Sequence, residues 1–182
     1  MVDAGEIWRI DELERYLGVF PEGQFCAVIG DKIVGSASSL IVSLEPDYRP
    51  HTWDEICYNC IEKTFNPKGN ILYDVDVSTD PAYRRFGIGT RLYDARKNLA
   101  KKLNLKKIIS AARLSGYSRH SDLSPEYYVA KVSLGELRDP VLNFQLKNGF
   151  RFIRILPRYM NDSESCGYAA LTEWVNEDYV SQ

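Results

Sequence analysis

Apolar residues at Ile10, Leu13 and Leu17 recur at the helical period, which predicts a short helix over residues 9–18 that Gly18 closes. The runs QFCAVI and KIVGSASSLIV that follow are rich in strand formers and are separated only by Gly30 and Asp31. A Gly-Asp pair between two such runs predicts a tight antiparallel hairpin. Residues 44–70 mix turn formers with a short helical stretch near 53–63 and are expected to form an irregular insertion. Alternation returns at Ile71, where Ile71, Tyr73, Val75, Val77 and Thr79 stand against Leu72, Asp74, Asp76 and Ser78 with the period of a strand. Ile88, Leu92, Ala95, Leu99 and Leu103 then trace an amphipathic helix of about four turns, and KKIISAA returns as a β-branched run. Strand, crossover helix and strand make a parallel unit with the usual right-handed connection. The predicted sheet is therefore mixed.

The 182 residues suffice for one compact domain, and no repeat or Pro/Gly/Ser linker divides them, so a single domain over 1–182 is expected. Hydrophobic residues at 45% and charged residues at 26% support a packed core rather than disorder. Lys plus Arg number 23 against 25 Asp plus Glu, a balance that argues against a nucleic-acid partner. The N-terminus alternates charge with apolar residues, and no run approaches the ~18 apolar residues of a membrane span. A cytoplasmic location without a membrane partner is expected. Cys26, Cys57, Cys60 and Cys166 are too sparse for a disulfide scaffold and are read as free thiols. Cys57 and Cys60 form one C-x-x-C, but only scattered His51, His120 and Cys166 could complete a zinc site, and no metal is expected.

The informative junction reads Arg84-Arg85-Phe86-Gly87-Ile88-Gly89-Thr90, between the strand and the amphipathic helix. A helix N-terminus has unpaired N–H donors and partial positive charge, and glycines let an anion approach that backbone closely. Arg84 and Arg85 add guanidinium groups, each able to grip two phosphate oxygens. The bland alternative is a turn that needs glycine beside two solvated arginines. A dinucleotide fingerprint is excluded because Leu92 stands where the third glycine belongs, and Arg113 where the acidic residue belongs. A triphosphatase loop is excluded because the chain reads Gly89-Thr90-Arg91 rather than Gly-Lys-Ser/Thr.

The segment VDVSTDPAYRRFGIGTRLYDAR resembles the coenzyme A motif of the GNAT superfamily of N-acetyltransferases, R/Q-x-x-G-x-G/A, with Arg84, Gly87 and Gly89 in its fixed positions. Pro81, Tyr83 and Ile88 match as well, and the motif region spans 71–105. DPVLNFQLKNGFRFIRI resembles the superfamily's second motif, over 139–156, and GYAALTEW its last strand. The stretches GYSRHSDLSPEYYVAKVSLGELRDP and LPRYMNDSESCGYAALTEW further resemble acetyltransferase domains fused to carbon–nitrogen hydrolase domains. The resemblance implies an α/β (α+β) fold whose mixed, mainly antiparallel central sheet carries a parallel, splayed strand pair and flanking helices. Family members usually place a strand and two helices before the hairpin, whereas only about twenty residues precede it here.

The resemblance also implies an activity: transfer of an acetyl group from acetyl-CoA to a primary amine by direct attack. The pantetheine arm would lie along Val77, Ser78 and Thr79, and the pyrophosphate on Arg84, Arg85, Phe86, Gly87, Ile88, Gly89 and Thr90. A strand N–H would polarise the thioester carbonyl, and a base or a water chain would take the amine proton. Tyr73 occupies the position of a glutamate base in some members, with Asp74 and Asp76 expected on the other face unless a bulge changes the register. Gln145 replaces the tyrosine that commonly protonates the leaving thiolate. Tyr73, Tyr117 and His120 are accordingly the catalytic candidates, while Tyr127 and Tyr128 fall in a helix that Ser124 caps and Pro125 opens. The expected partners are a small-molecule or peptide amine and a second copy of the chain in a homodimer. An acyl-CoA-binding regulatory or interaction module without turnover is the alternative.

Overall fold

The computed structural model describes residues 8–44, 49–58 and 61–181. Strands β1 (Gln24–Ile29), β2 (Lys32–Val42), β3 (Ile71–Thr79), β4 (Lys107–Arg113), β5 (Arg151–Leu156) and β6 (Ala169–Val175) follow the order β1-β2-β3-β4-β6-β5 in one sheet that is mainly antiparallel with one parallel pair. Backbone proximity divides the chain into two compact units, one of residues 8–43, 61–108 and 176–181, the other of 44–60 and 109–175 within the described ranges.

The first unit opens with α1 (Ile10–Val19), which starts and ends one residue later than its closing glycine suggested. Its buried positions are Glu12 and Tyr16, not the expected stripe; Ile10, Leu13 and Leu17 are 76%, 40% and 54% exposed. Glu12 is drawn in because its carboxylate accepts the Arg9 N–H at 2.8 Å, and Tyr16 because Trp8 packs on it edge to face at 5.2 Å. The hairpin of β1 (Gln24–Ile29) and β2 (Lys32–Val42) forms as predicted, with Gly30 in the left-handed region at φ 58°. Of the insertion, α2 (Ile61–Thr64) belongs to this unit, and Phe65 rests on Phe20 with ring centroids 5.7 Å apart.

Next to β2 lies β3 (Ile71–Thr79), and their pairing slips by one residue: Ser38 faces Asp76 while Ser39 faces Asp74, so Val75 has no partner in β2. This is a β-bulge. Helix α3 (Ile88–Lys102) covers the unit through Ile88 and Leu92, which pack with Val34, Ala37 and Val77. The apolar stripe along α3 is interrupted by Arg96, which is fully buried.

The second unit contains most of β4 (Lys107–Arg113), then α4 (Pro125–Ser133), α5 (Pro140–Lys147), β5 (Arg151–Leu156) and β6 (Ala169–Val175). Ser124 caps α4 by accepting the Tyr127 N–H at 3.2 Å, as the sequence predicted. Buried Asp139 caps α5: its Oδ1 accepts from Val141 and Leu142 N–H, and its Oδ2 from the Tyr128 hydroxyl and Gly116 N–H, all within 3.1 Å. These bonds fasten α4, α5 and the turn after β4 around Leu114, Tyr117, Val129, Val132 and Leu142. The rest of the insertion forms a π-type turn, Asp54–Tyr58, tied by Trp53 N–H to the Tyr159 carbonyl at 2.8 Å.

Candidate functional site

The loop between β3 and α3 is set by its backbone. Asp80 accepts the Ala82 N–H at 2.9 Å and pairs with Lys32 at 2.8 Å, which starts the 3-10 turn Pro81–Tyr83; hydrogen bonding to Lys32 holds the Asp80 carboxyl below the usual range. Arg85 then takes φ 69° and Gly87 φ 78°, two left-handed residues separated only by Phe86. Arg85 is the costly one, since an L side chain rarely adopts that conformation. The first bond to close a turn of α3 runs from Arg91 N–H to the Gly87 carbonyl at 3.1 Å, so the amides of Ile88, Gly89 and Thr90 have no acceptor inside the helix. Arg84, Arg85, Phe86 and Gly87 are exposed around them, while the Ile88 side chain is buried and anchors the loop. Upstream, Val77 packs under α3, the Ser78 hydroxyl shares a hydrogen bond with Ser36 at 2.9 Å, and Thr79 pairs with Gly35.

The bulge sorts the acidic residues of β3. Asp74 bonds α3 directly, accepting the Tyr93 hydroxyl at 2.6 Å and pairing with Arg96 at 2.7 Å. Val77, three residues on, also packs against α3. Two residues an odd number apart share a face only because Val75 is extra, and Asp76 therefore points away from α3, on the face of Tyr73. The expectation that Asp74 and Asp76 share a face is corrected by this register. Arg96 completes its site with the Ser39 hydroxyl at 3.0 Å, the Ser38 carbonyl at 2.9 Å and the Asp76 carbonyl. Asp76 itself accepts a hydrogen bond from the Trp8 side chain, yet burial first and the charge of Asp74 second push its carboxyl up to about 6. Tyr73 is fully buried.

In the second unit the Tyr117 hydroxyl donates to the Leu123 carbonyl at 2.7 Å, its ring meets Tyr128 and Tyr168 edge on, and burial raises its phenol above the usual value. Tyr128 is buried and Tyr127 exposed. The Gln145 amide donates to Ser110 Oγ at 2.7 Å and accepts the Thr172 hydroxyl at 2.6 Å, and an amide N–H is too weak an acid to protonate a thiolate. His120 lies in an open pocket with Arg119 and Arg138. Cys57 is buried and Cys60 lies outside the described residues; among the described residues no three His, Cys, Asp or Glu side chains gather to hold a metal ion. No described helix is long and apolar enough to cross a membrane.

Sequence reasoning weighed Asp76 only on condition of a bulge and passed over Arg96. The only signal for Arg96 was its place on α3, four residues after Leu92 and three before Leu99, where a charged side chain reads as solvated.

Residues 2–119 match the profile of the Acetyltransferase (GNAT) family. Two proteins of Bacillus subtilis (strain 168) are similar over nearly the whole chain. An uncharacterized N-acetyltransferase, YkwB, is 38% identical over 174 residues, 95% of this chain and 77% of its own. A probable hydrolase, YhcX, is 43% identical over 179 residues, 97% of this chain; the chain spans only 35% of that protein's length. Among solved structures, the GNAT-like decarboxylase GphF in complex with isobutyryl-CoA superposes with a TM-score of 0.77 at 20% identity, covering 96% of this chain and 89% of that one.

Proposed function

Because the chain belongs to the acetyltransferase (GNAT) family, we propose that it binds acetyl-CoA on the 84–90 loop and transfers the acetyl group to a primary amine. The observation that carries this reading is the left-handed backbone at Arg85 and Gly87, which precedes the three unpaired amides at the start of α3 and follows exposed Arg84. Backbone N–H groups and a guanidinium together suit a pyrophosphate better than an isolated carboxylate. Arg84, Arg85, Phe86, Gly87, Ile88, Gly89 and Thr90 would hold that group, and Val77, Ser78 and Thr79 the pantetheine arm. The GNAT-like decarboxylase with isobutyryl-CoA supports an acyl-CoA as the donor class. Bound CoA thioester supplies the acyl group that an amine takes from sulfur.

The chain's own task is then proton handling. An alkylamine has a pKa near 10 and attacks only as the free base, so a group able to accept its proton at neutral pH raises the rate. Asp76 suits that role, because it stands on the β3 face away from α3 and ionises near pH 6. Asp74 does not, because Arg96 and Tyr93 occupy its oxygens.

The reading of an acyl-CoA-binding module without turnover is favoured by one observation: the Gln145 amide and the Tyr117 hydroxyl are both committed to internal bonds. Thiol release from acetyl-CoA, measured against small amines, polyamines, amino acids and peptide N-termini, separates the two. We expect release with at least one acceptor, and Arg84→Ala to weaken CoA binding roughly ten- to a hundred-fold, the loss of one charge-assisted contact. Tight CoA binding without thiol from any amine at any pH gives the module reading. An unchanged dissociation constant in both Arg84→Ala and Gly89→Val excludes this loop as the cradle.

A further inference from the structure

In the second unit, Gly116, Arg119, His120, Arg138 and Pro140 line an open pocket of about 220 Å3. Arg119 and His120 come from the 3-10 turn Tyr117–His120, and Arg138 from the segment that leads into α5. Two exposed arginines from separate segments thus line one concavity, and neither has an ion-pair partner among the described residues. Asp139, beside Arg138 in the chain, forms no ion pair with either: it is buried, and its two oxygens accept from Tyr128, Gly116, Val141 and Leu142. Asp122 and Glu126 also lie nearby, with their charge felt at Tyr117, and the Glu164 carbonyl accepts the Ser118 N–H at 2.9 Å. The His120 ring packs against Tyr128, with centroids 5.6 Å apart.

Guanidiniums that no carboxylate pairs directly can take an anion from solution, and their planar fork fits a group that presents two oxygens. We propose that this pocket binds an oxyanion, a phosphate monoester or a carboxylate, held between the Arg119 and Arg138 forks with the His120 ring as a third donor. It uses no residue of the 84–90 loop, so it stands or falls independently of acetyl transfer.

The chain has two histidines, which makes each imidazole individually readable by NMR. His51, half-buried against Tyr159 at 6.2 Å, serves as the internal reference. Inorganic phosphate, exchanged for chloride at constant ionic strength, should raise the titration midpoint of His120 saturably and leave that of His51 in place. In the Arg119→Gln, Arg138→Gln double variant, whose amide fingerprint should be unchanged, phosphate should bind at least about tenfold more weakly. An acetate arm assigns the source: tighter binding of acetate than of phosphate identifies a carboxylate ligand, and the reverse a phosphate ester. Equal or unsaturable movement of both histidines, no movement of His120 with either anion, or undiminished phosphate binding by the double variant would overturn the site.

Discussion

Two carboxylates two residues apart on β3 carry opposite burdens. Asp74 is compensated by buried Arg96 at 2.7 Å, and removing one partner of such a pair costs about 3–5 kcal/mol because the other charge is left stranded. Asp76 has the Trp8 side chain but no cation of its own, and its carboxyl rises from 3.8 to about 6. With the folded value above the unfolded one, the native state keeps a proton that the unfolded chain has already lost between pH 4 and 6. Stability therefore falls as pH rises through that window and levels off above it. Asp76→Asn should stabilise the protein by about 1–3 kcal/mol at pH 7.5 and change little at pH 4, which urea unfolding at the two pH values would measure. If Asp76 takes the amine proton, thiol release by the unmodified chain declines below pH about 6, and the variant is slow at neutral pH despite its greater stability.

At the scale of elements, the cradle depends on how closely α3 lies on β2. A Cβ on Gly35 would come within 2.9 Å of the Ile88 side chain and 3.0 Å of the Ser78 carbonyl, so Gly35→Val must push the start of α3 outward. We expect a loss of about 1–3 kcal/mol in denaturant melts together with weaker CoA binding, since Ile88 anchors the loop. Gly18→Ala, where a Cβ meets open space, should leave CoA binding untouched. The hairpin, α3 and the Gly87 turn were legible in the sequence because each rests on a local signal: a turn pair, a period, a glycine at positive φ. The bulge was not, because residues 71–75 are all buried and the alternation of residue types runs unbroken through Val75. Nor was the buried side of α1, where a carboxylate held by the Arg9 amide outweighs the apolar stripe.

For the molecule as a whole, a ligand that binds only the folded state stabilises it by mass action, by about 2.7 kcal/mol at a hundred times its dissociation constant. For a chain of 182 residues this corresponds to a rise in melting temperature of roughly 5–11 °C. Acetyl-CoA and desulfo-CoA should both produce it in calorimetry, and an unmoved transition at millimolar acetyl-CoA would remove the cradle from the proposed function. The 84–90 loop belongs entirely to the first unit, so if the two units melt separately, the shifted transition identifies that unit. The chain leaves the first unit over residues 44–60 and returns to it over 61–108. The unpaired Val75 has a last consequence for how this strand tolerates change. Ahead of it Asp74 serves the helix and after it Val77 does, so a substitution scan along β3 should invert its parity at position 75. A lineage could then vary Asp76 and Ser78, and with them the chemistry on the face away from the helix, without disturbing the packing beneath α3.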